Sequence, residues 1–129
     1  MTTGWIAGLT ASAVIAVAFL AGLPPAHAGE ADVVAAEAYR TGVGVWRFNV
    51  TVRHGDEGWD HYADKWDVVG PDGTLYGTRV LLHPHEMEQP FTRSLGGVEI
   101  PEGVSSVTIR AHDSQHQYGG VEVSVTLDP

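Results

Sequence analysis

The sequence predicts an all-β domain: seven antiparallel strands folded as a two-sheet sandwich, immunoglobulin-like or fibronectin-type-III-like. Three observations predict it. Apolar and polar residues alternate with period two in several runs, the pattern of a strand with one buried face. Turn signals built from Gly, Pro and Asp recur about every eight to twelve residues, the spacing of a sandwich or barrel. No stretch carries a clean helical stripe.

The first strand is read over Asp32 to Tyr39, where small apolar residues fit a first edge strand better than a helix. The second, Val45 to His54, is the clearest: Trp46, Phe48, Val50 and Val52 alternate with Arg47, Asn49, Thr51 and Arg53. Gly55-Asp56-Glu57-Gly58 ends it, and a third strand runs from Ala63 to Val69 with Trp66 and Val68 facing inward. Gly70-Pro71-Asp72-Gly73 makes a tight turn, because Pro presets φ and Asp-Gly tolerates positive φ. A fourth strand covers Leu75 to Leu82, His83 to Pro90 is a loop, and Phe91 to Leu95 is a short fifth strand. Val98 and Ile100 are core plugs in the Gly-rich segment that follows. Val104 to Ala111 and Val121 to Leu127 alternate again and complete the seven.

Ahead of these strands, Ile6 to Leu23 is apolar or small throughout, and Pro24-Pro25 breaks the run. Ala26-His27-Ala28 supplies the small residues of a cleavage site, so residues 1–28 read as an export signal and 29–129 as a single domain. The charge pattern agrees, since every Lys, Arg, Asp and Glu follows residue 28. The rival is a retained anchor, but no basic flank follows the run. The expected location is therefore periplasmic or secreted, with no stable membrane insertion after cleavage.

Composition excludes several functions. The chain has no cysteine, which removes disulfide frameworks, thiolate metal centres such as blue copper, and cysteine nucleophiles. Seven Lys and Arg stand against sixteen Asp and Glu, a net charge of -9, so no positive footprint exists for nucleic acid. No phosphate-cradling Gly loop, H-E-x-x-H helix or G-x-S-x-G elbow is present, and an enzyme is the less expected outcome.

The histidines carry the functional expectation. Consecutive antiparallel strands alternate direction, so the segments 54–62, 83–90 and 112–120 should meet at one end of the sandwich. His54, His61, His83, His85, His112 and His116 all fall in those segments. Neutral imidazole is a good ligand for copper, zinc and nickel, so all six are candidate metal ligands. His83-Pro84-His85 is the most pointed pair, because residues i and i+2 of an extended chain face the same side. His112 should leave its strand on the outer face and Asp113 on the inner one. Asp113, Glu86, Asp60 and Asp56 are candidates to orient a ligating ring through its other nitrogen. Met87 offers a thioether in the same loop as His83 and His85.

Asp56, Glu57, Asp60 and Asp64 suggest calcium only weakly, since their spacing lacks the register of a calcium loop. Trp59, Tyr62 and Tyr118 place aromatics on the same rim, where they wall a pocket, cap the core, stack on a sugar or dock a partner. The expected function is thus an exported metal-binding protein, copper before zinc, acting as carrier, scavenger or accessory factor. The alternative is a metal-free module that docks another exported protein or the cell envelope.

Overall fold

A computed structural model describes residues 15–19 and 29–128. Eight strands form: β1 (Ile15–Phe19), β2 (Asp32–Gly42), β3 (Val45–Arg53), β4 (Ala63–Val69), β5 (Leu75–Val80), β6 (Phe91–Glu99), β7 (Ser106–Asp113) and β8 (Val123–Thr126). They make two four-stranded sheets, ordered β1-β2-β3-β6 and β5-β4-β7-β8, with every pairing antiparallel. The expected sandwich is present. Of its two layouts, the constant-type immunoglobulin one is excluded: there the fourth domain strand joins the sheet of the fifth, whereas β5 pairs with β4.

The period-two runs become strands because each buries one face. In β3, Trp46, Phe48, Val50 and Val52 point into the space between the sheets, and Trp66 and Val68 of β4 meet them there, with Val107, Ile109 and Ala111 of β7. Phe91, Val98 and Ile100 complete the middle, the last two in the role expected of them.

Two expectations need correction. Among the described residues the strands number eight, because Ile15–Phe19, within the segment read as an export signal, pairs antiparallel with β2 from Ile15↔Tyr39 to Phe19↔Ala35. A short apolar run fits more than one structure by periodicity alone. Here Ala16 and Ala18 pack against the core while Ile15 and Val17 stay exposed. The expected cut after Ala28 lies outside the described residues.

Strand β6 is also longer than the five residues expected. Its Gly96-Gly97 is a bulge rather than a terminus: Phe48 pairs with Leu95 and Trp46 with Val98, so β6 carries one residue more than β3 between these pairs. Gly97 takes φ +67°, a conformation that glycine adopts without steric cost.

Strand directions bring three connections to one end of the sandwich: 54–62 between β3 and β4, 81–90 between β5 and β6, and 114–122 between β7 and β8. The start of β2 joins them, since Asp32 pairs with Arg53. This is the end that the histidines occupy.

Candidate metal centre

The three connections are knit together by backbone and side-chain hydrogen bonds. Asp113 ends β7 and closes a tight turn in which Asp113 and Gln117 exchange N–H···O bonds of 3.0 Å. Its Oδ1 accepts the amides of Gln115, at 2.8 Å, and of His116. That is the local turn an Asp side chain favours, and it fixes where His116 points. Ser114 then ties this turn to the preceding loop: its amide donates to the Tyr62 carbonyl, and its hydroxyl accepts the Tyr62 amide, each at 3.0 Å. Gly58, at φ +87°, opens a turn in which the His61 amide donates to the Gly58 carbonyl. Gln89 bridges the third loop to β3, accepting from the His54 amide at 2.9 Å and donating to the His85 carbonyl at 3.0 Å.

Inside this frame three imidazoles converge on one carboxylate oxygen. Asp113 Oδ2 lies 3.0 Å from His54 Nε2, 3.3 Å from His61 Nε2 and 3.1 Å from His116 Nδ1. His61 Nε2 and His116 Nδ1 are 3.1 Å apart. His54, His61 and Asp113 are buried, and their ligand atoms lie within 4.8 Å of one another, a group able to hold a metal ion. His116 adjoins this triad from the solvent side, its side chain 40% exposed.

The outer nitrogens of the two buried rings are also held. His54 Nδ1 donates to Asp56 Oδ1 at 2.5 Å, and His61 Nδ1 donates to Glu57 Oε1 at 3.0 Å. A carboxylate on the far nitrogen fixes the ring and aims the near one, the arrangement found behind metal-ligating histidines. For His61 the consequence is direct. With Nδ1 donating to Glu57, the Nε2 lone pair faces the Asp113 carboxylate across 3.3 Å. Two acceptors so placed call for a donor or a cation between them, and His116 Nδ1, 3.1 Å from each, is the protein group placed to donate.

His54 faces acceptors on both sides, since Nε2 also donates to the Gly29 carbonyl at 2.8 Å. Burial opposes the charged ring, but the hydrogen bond and charge of Asp56, together with Asp113, raise its pKa above 6.5. Asp113 is likewise opposed by burial. The His116 and Gln115 amides, the His116 ring and the charge of His54 nevertheless bring its pKa down to about 2. Asp56 is lowered as well, against burial, by His54 and by the amides of His85 and Ala63. Two buried carboxylates, Asp56 and Asp113, therefore make the pocket rich in negative charge.

The six expected ligands do not act as one set. His54, His61 and His116 meet at Asp113. His83 and His85 pair with each other, ring centroids 4.6 Å apart, and stand on the far side of Asp56, whose Oδ2 accepts the His85 amide at 2.6 Å. His112 lies within β7 rather than in a loop, on the outer face of its sheet as parity requires, with Nδ1 on Asp64 Oδ1 at 2.6 Å.

Of the acids expected to orient rings, Asp56 does so. Asp113 stands instead at the point of convergence. Glu57, not singled out for that role, holds His61; an i, i+4 spacing across the Gly58 turn was the available signal. Tyr118 does not wall the centre: it crosses the outer face of the sheet, donating to the buried Asp67 at 2.6 Å beneath Arg110. Trp59 stacks edge-on with Tyr62 at 5.6 Å and is 66% exposed, so it does not cap the core. Met87 is fully out in solvent.

No described protein family matches the chain, and no solved structure matches it. A protein of Halomicrobium mukohataei named "Putative lipoprotein" is 45% identical over 99 residues, covering 77% of this chain and 48% of its own length. The chain thus spans about half the length of that relative.

Proposed function

We propose that this chain is an exported metal-binding domain, a carrier, scavenger or accessory factor that holds one transition-metal ion between His54, His61 and Asp113, with His116 closing the site. The observation that carries this reading is the pair of buried imidazoles, each tied at Nδ1 by a carboxylate and each presenting Nε2 to the same Asp113 oxygen.

The spacing suits an ion. Ligands about 2.0 Å from a metal stand about 3.3 Å apart in a tetrahedron and about 2.9 Å apart at adjacent corners of a square. The separations at Asp113 run from 3.0 to 3.3 Å. A cation would also neutralise the pocket. At a nitrogen and oxygen site of this kind the divalent affinity order favours copper over zinc. Export rests on the apolar segment before residue 29 and on the lipoprotein name of the Halomicrobium relative. The 129 residues contain no cysteine for an S-linked lipid.

The test is a chelator competition titration at pH 7 with copper(II) and zinc(II). Copper is expected to bind more tightly than about 10 μM and ahead of zinc, and His61→Ala to abolish that binding. Wild-type protein that holds neither metal at this level overturns the reading.

A second reading, a metal-free docking module, is favoured by the apolar residues exposed on the same rim: Trp59 at 66%, Leu82 at 74% and Met87 at 98%. Retention of an exported partner that is lost in Trp59→Ala, by a protein that binds no metal, would select it.

A further inference from the structure

His85 is buried, its side chain 3% exposed, yet neither ring nitrogen has a hydrogen-bond partner among the described residues. Its ring stacks flat on Phe91, centroids 3.9 Å apart and 10° from parallel. An aromatic hydrocarbon would fill that position without leaving two polar atoms unpaired, an arrangement that costs stability. The imidazole therefore calls for a reason beyond packing.

The neighbour supplies one. The His83 ring lies 4.6 Å away at 36°, on an exposed residue. Its Nδ1 donates to the Pro84 carbonyl at 3.0 Å, which leaves the Nε2 lone pair free. Pro84 holds the intervening backbone so that both rings stay on one side. Burial, then the positive charge of Arg93 and the neighbouring His83, lower the His85 pKa, which favours the neutral ring, with one N–H and one ligating lone pair.

We infer that His83 and His85 form a second site for an imidazole-preferring divalent cation, separate from the centre at Asp113. The exposed His83 ring is the movable half: turning aside, it opens the way to His85, and both rings then chelate the ion with water in the remaining positions. Asp56 stands between the two sites. One of its oxygens accepts from the His54 ring, while the other takes the His85 amide at 2.6 Å and lies 4.0 Å from His85 Nδ1. The site has two protein ligands and no carboxylate at ligand distance, so it binds more weakly than the centre. This inference does not rest on the centre being occupied.

The experiment is a copper(II) titration of the whole chain, followed by frozen-solution electron paramagnetic resonance and chelator competition. Wild type is expected to take two equivalents with distinct spectra. His85→Phe preserves the stack on Phe91, removes the unpaired nitrogens, and should melt no lower than wild type while losing only the weaker equivalent. His83→Ala, at an exposed position, should lose the same equivalent. His61→Ala should lose only the tighter one. A single equivalent in wild type, abolished by His61→Ala, overturns the second site and leaves the centre standing. Two equivalents that survive both His85→Phe and His83→Ala also overturn it. A loss of all binding in His85→Phe with none in His61→Ala would instead remove the centre.

Discussion

Asp56 and Glu57 are adjacent residues with the same task and different surroundings. Asp56 is buried and also accepts the Ala63 and His85 amides, whereas the Glu57 side chain is 62% exposed. Replacing a buried orienting carboxylate costs roughly 10–100-fold in metal affinity. Asp56→Asn is expected to fall in that range, and Glu57→Gln within about threefold of wild type, because water replaces an exposed partner readily; chelator competition reads both. His54 and Asp113 set the pH response of the metal-free protein. The folded His54 pKa is raised, so its stabilisation is full below about 6.5 and is lost as pH rises through the folded value. Asp113 is lowered to about 2, so its stabilisation is present above about 3.9 and is lost as pH falls toward 2. The metal-free melting temperature is therefore expected to peak between about pH 4 and 6.5. Copper binding must displace the His54 Nε2 proton, so the gain in melting temperature on adding copper should grow from pH 6 to pH 8. A gain independent of pH would place the metal away from His54.

Among the elements, the connection from β7 to β8 depends most on backbone fit. A Cβ on Gly120 would come within 2.0 Å of the Ala31 carbonyl oxygen, where the Val121 amide meets the Asp32 carboxylate and the Val121 carbonyl accepts from Val33. Neither backbone can yield without opening the seam between β2 and the loop that carries His116. Gly120→Ala is expected to cost about 1–3 kcal/mol, the range for forced overpacking, measured by urea denaturation, and to weaken copper binding at the centre. Strands such as β3 and β7 were legible in the sequence because alternation reports one buried face directly. The gathering of 54–62, 83–90 and 112–120 at one end was legible too, because it follows from strand direction alone. Which histidines meet was not. The i, i+2 rule correctly placed His83 beside His85, but whether that pair reaches the others depends on how loops fold over the rim. The hydrogen bonds of Ser114, Gln89 and Asp113 that decide this carry no periodic signal. Asp113 looked like a helper because inward parity fixes its face, not the three rings that gather around its oxygen. Strand β6 looked short because Gly-Gly reads as a terminus unless the opposing register is known.

At the scale of the whole molecule, the division of labour along the chain makes a further prediction. The buried core is supplied by residues from Ala31 to Leu127, and among the described side chains β1 adds Ala16 and Ala18 at its margin. Every side chain of the candidate centre, from His54 to His116, lies in the same span. A chain beginning at Gly29 should therefore fold alone, with a β-dominated circular dichroism spectrum and a single cooperative transition. What it loses is the pairing of β1 with β2 from Tyr39 to Ala35, so the β2 amides that face β1 should exchange with solvent faster than those that face β3. Copper should raise its melting temperature as expected for the full chain, because an ion held by folded loops and not by the unfolded chain stabilises by mass action, about 2.7 kcal/mol at a hundredfold excess over Kd. Gly29 is the sensitive point, since its carbonyl accepts from the His54 Nε2 that the metal would take. In the full chain, residue 29 is held in the backbone leading to β2. In the shortened chain it is a free end that can move aside, so copper should bind at least as tightly there. A shortened chain that folds with unchanged β content but binds copper more weakly would show that residues before 29 contribute to the site, and the centre would then have to be redrawn to include them.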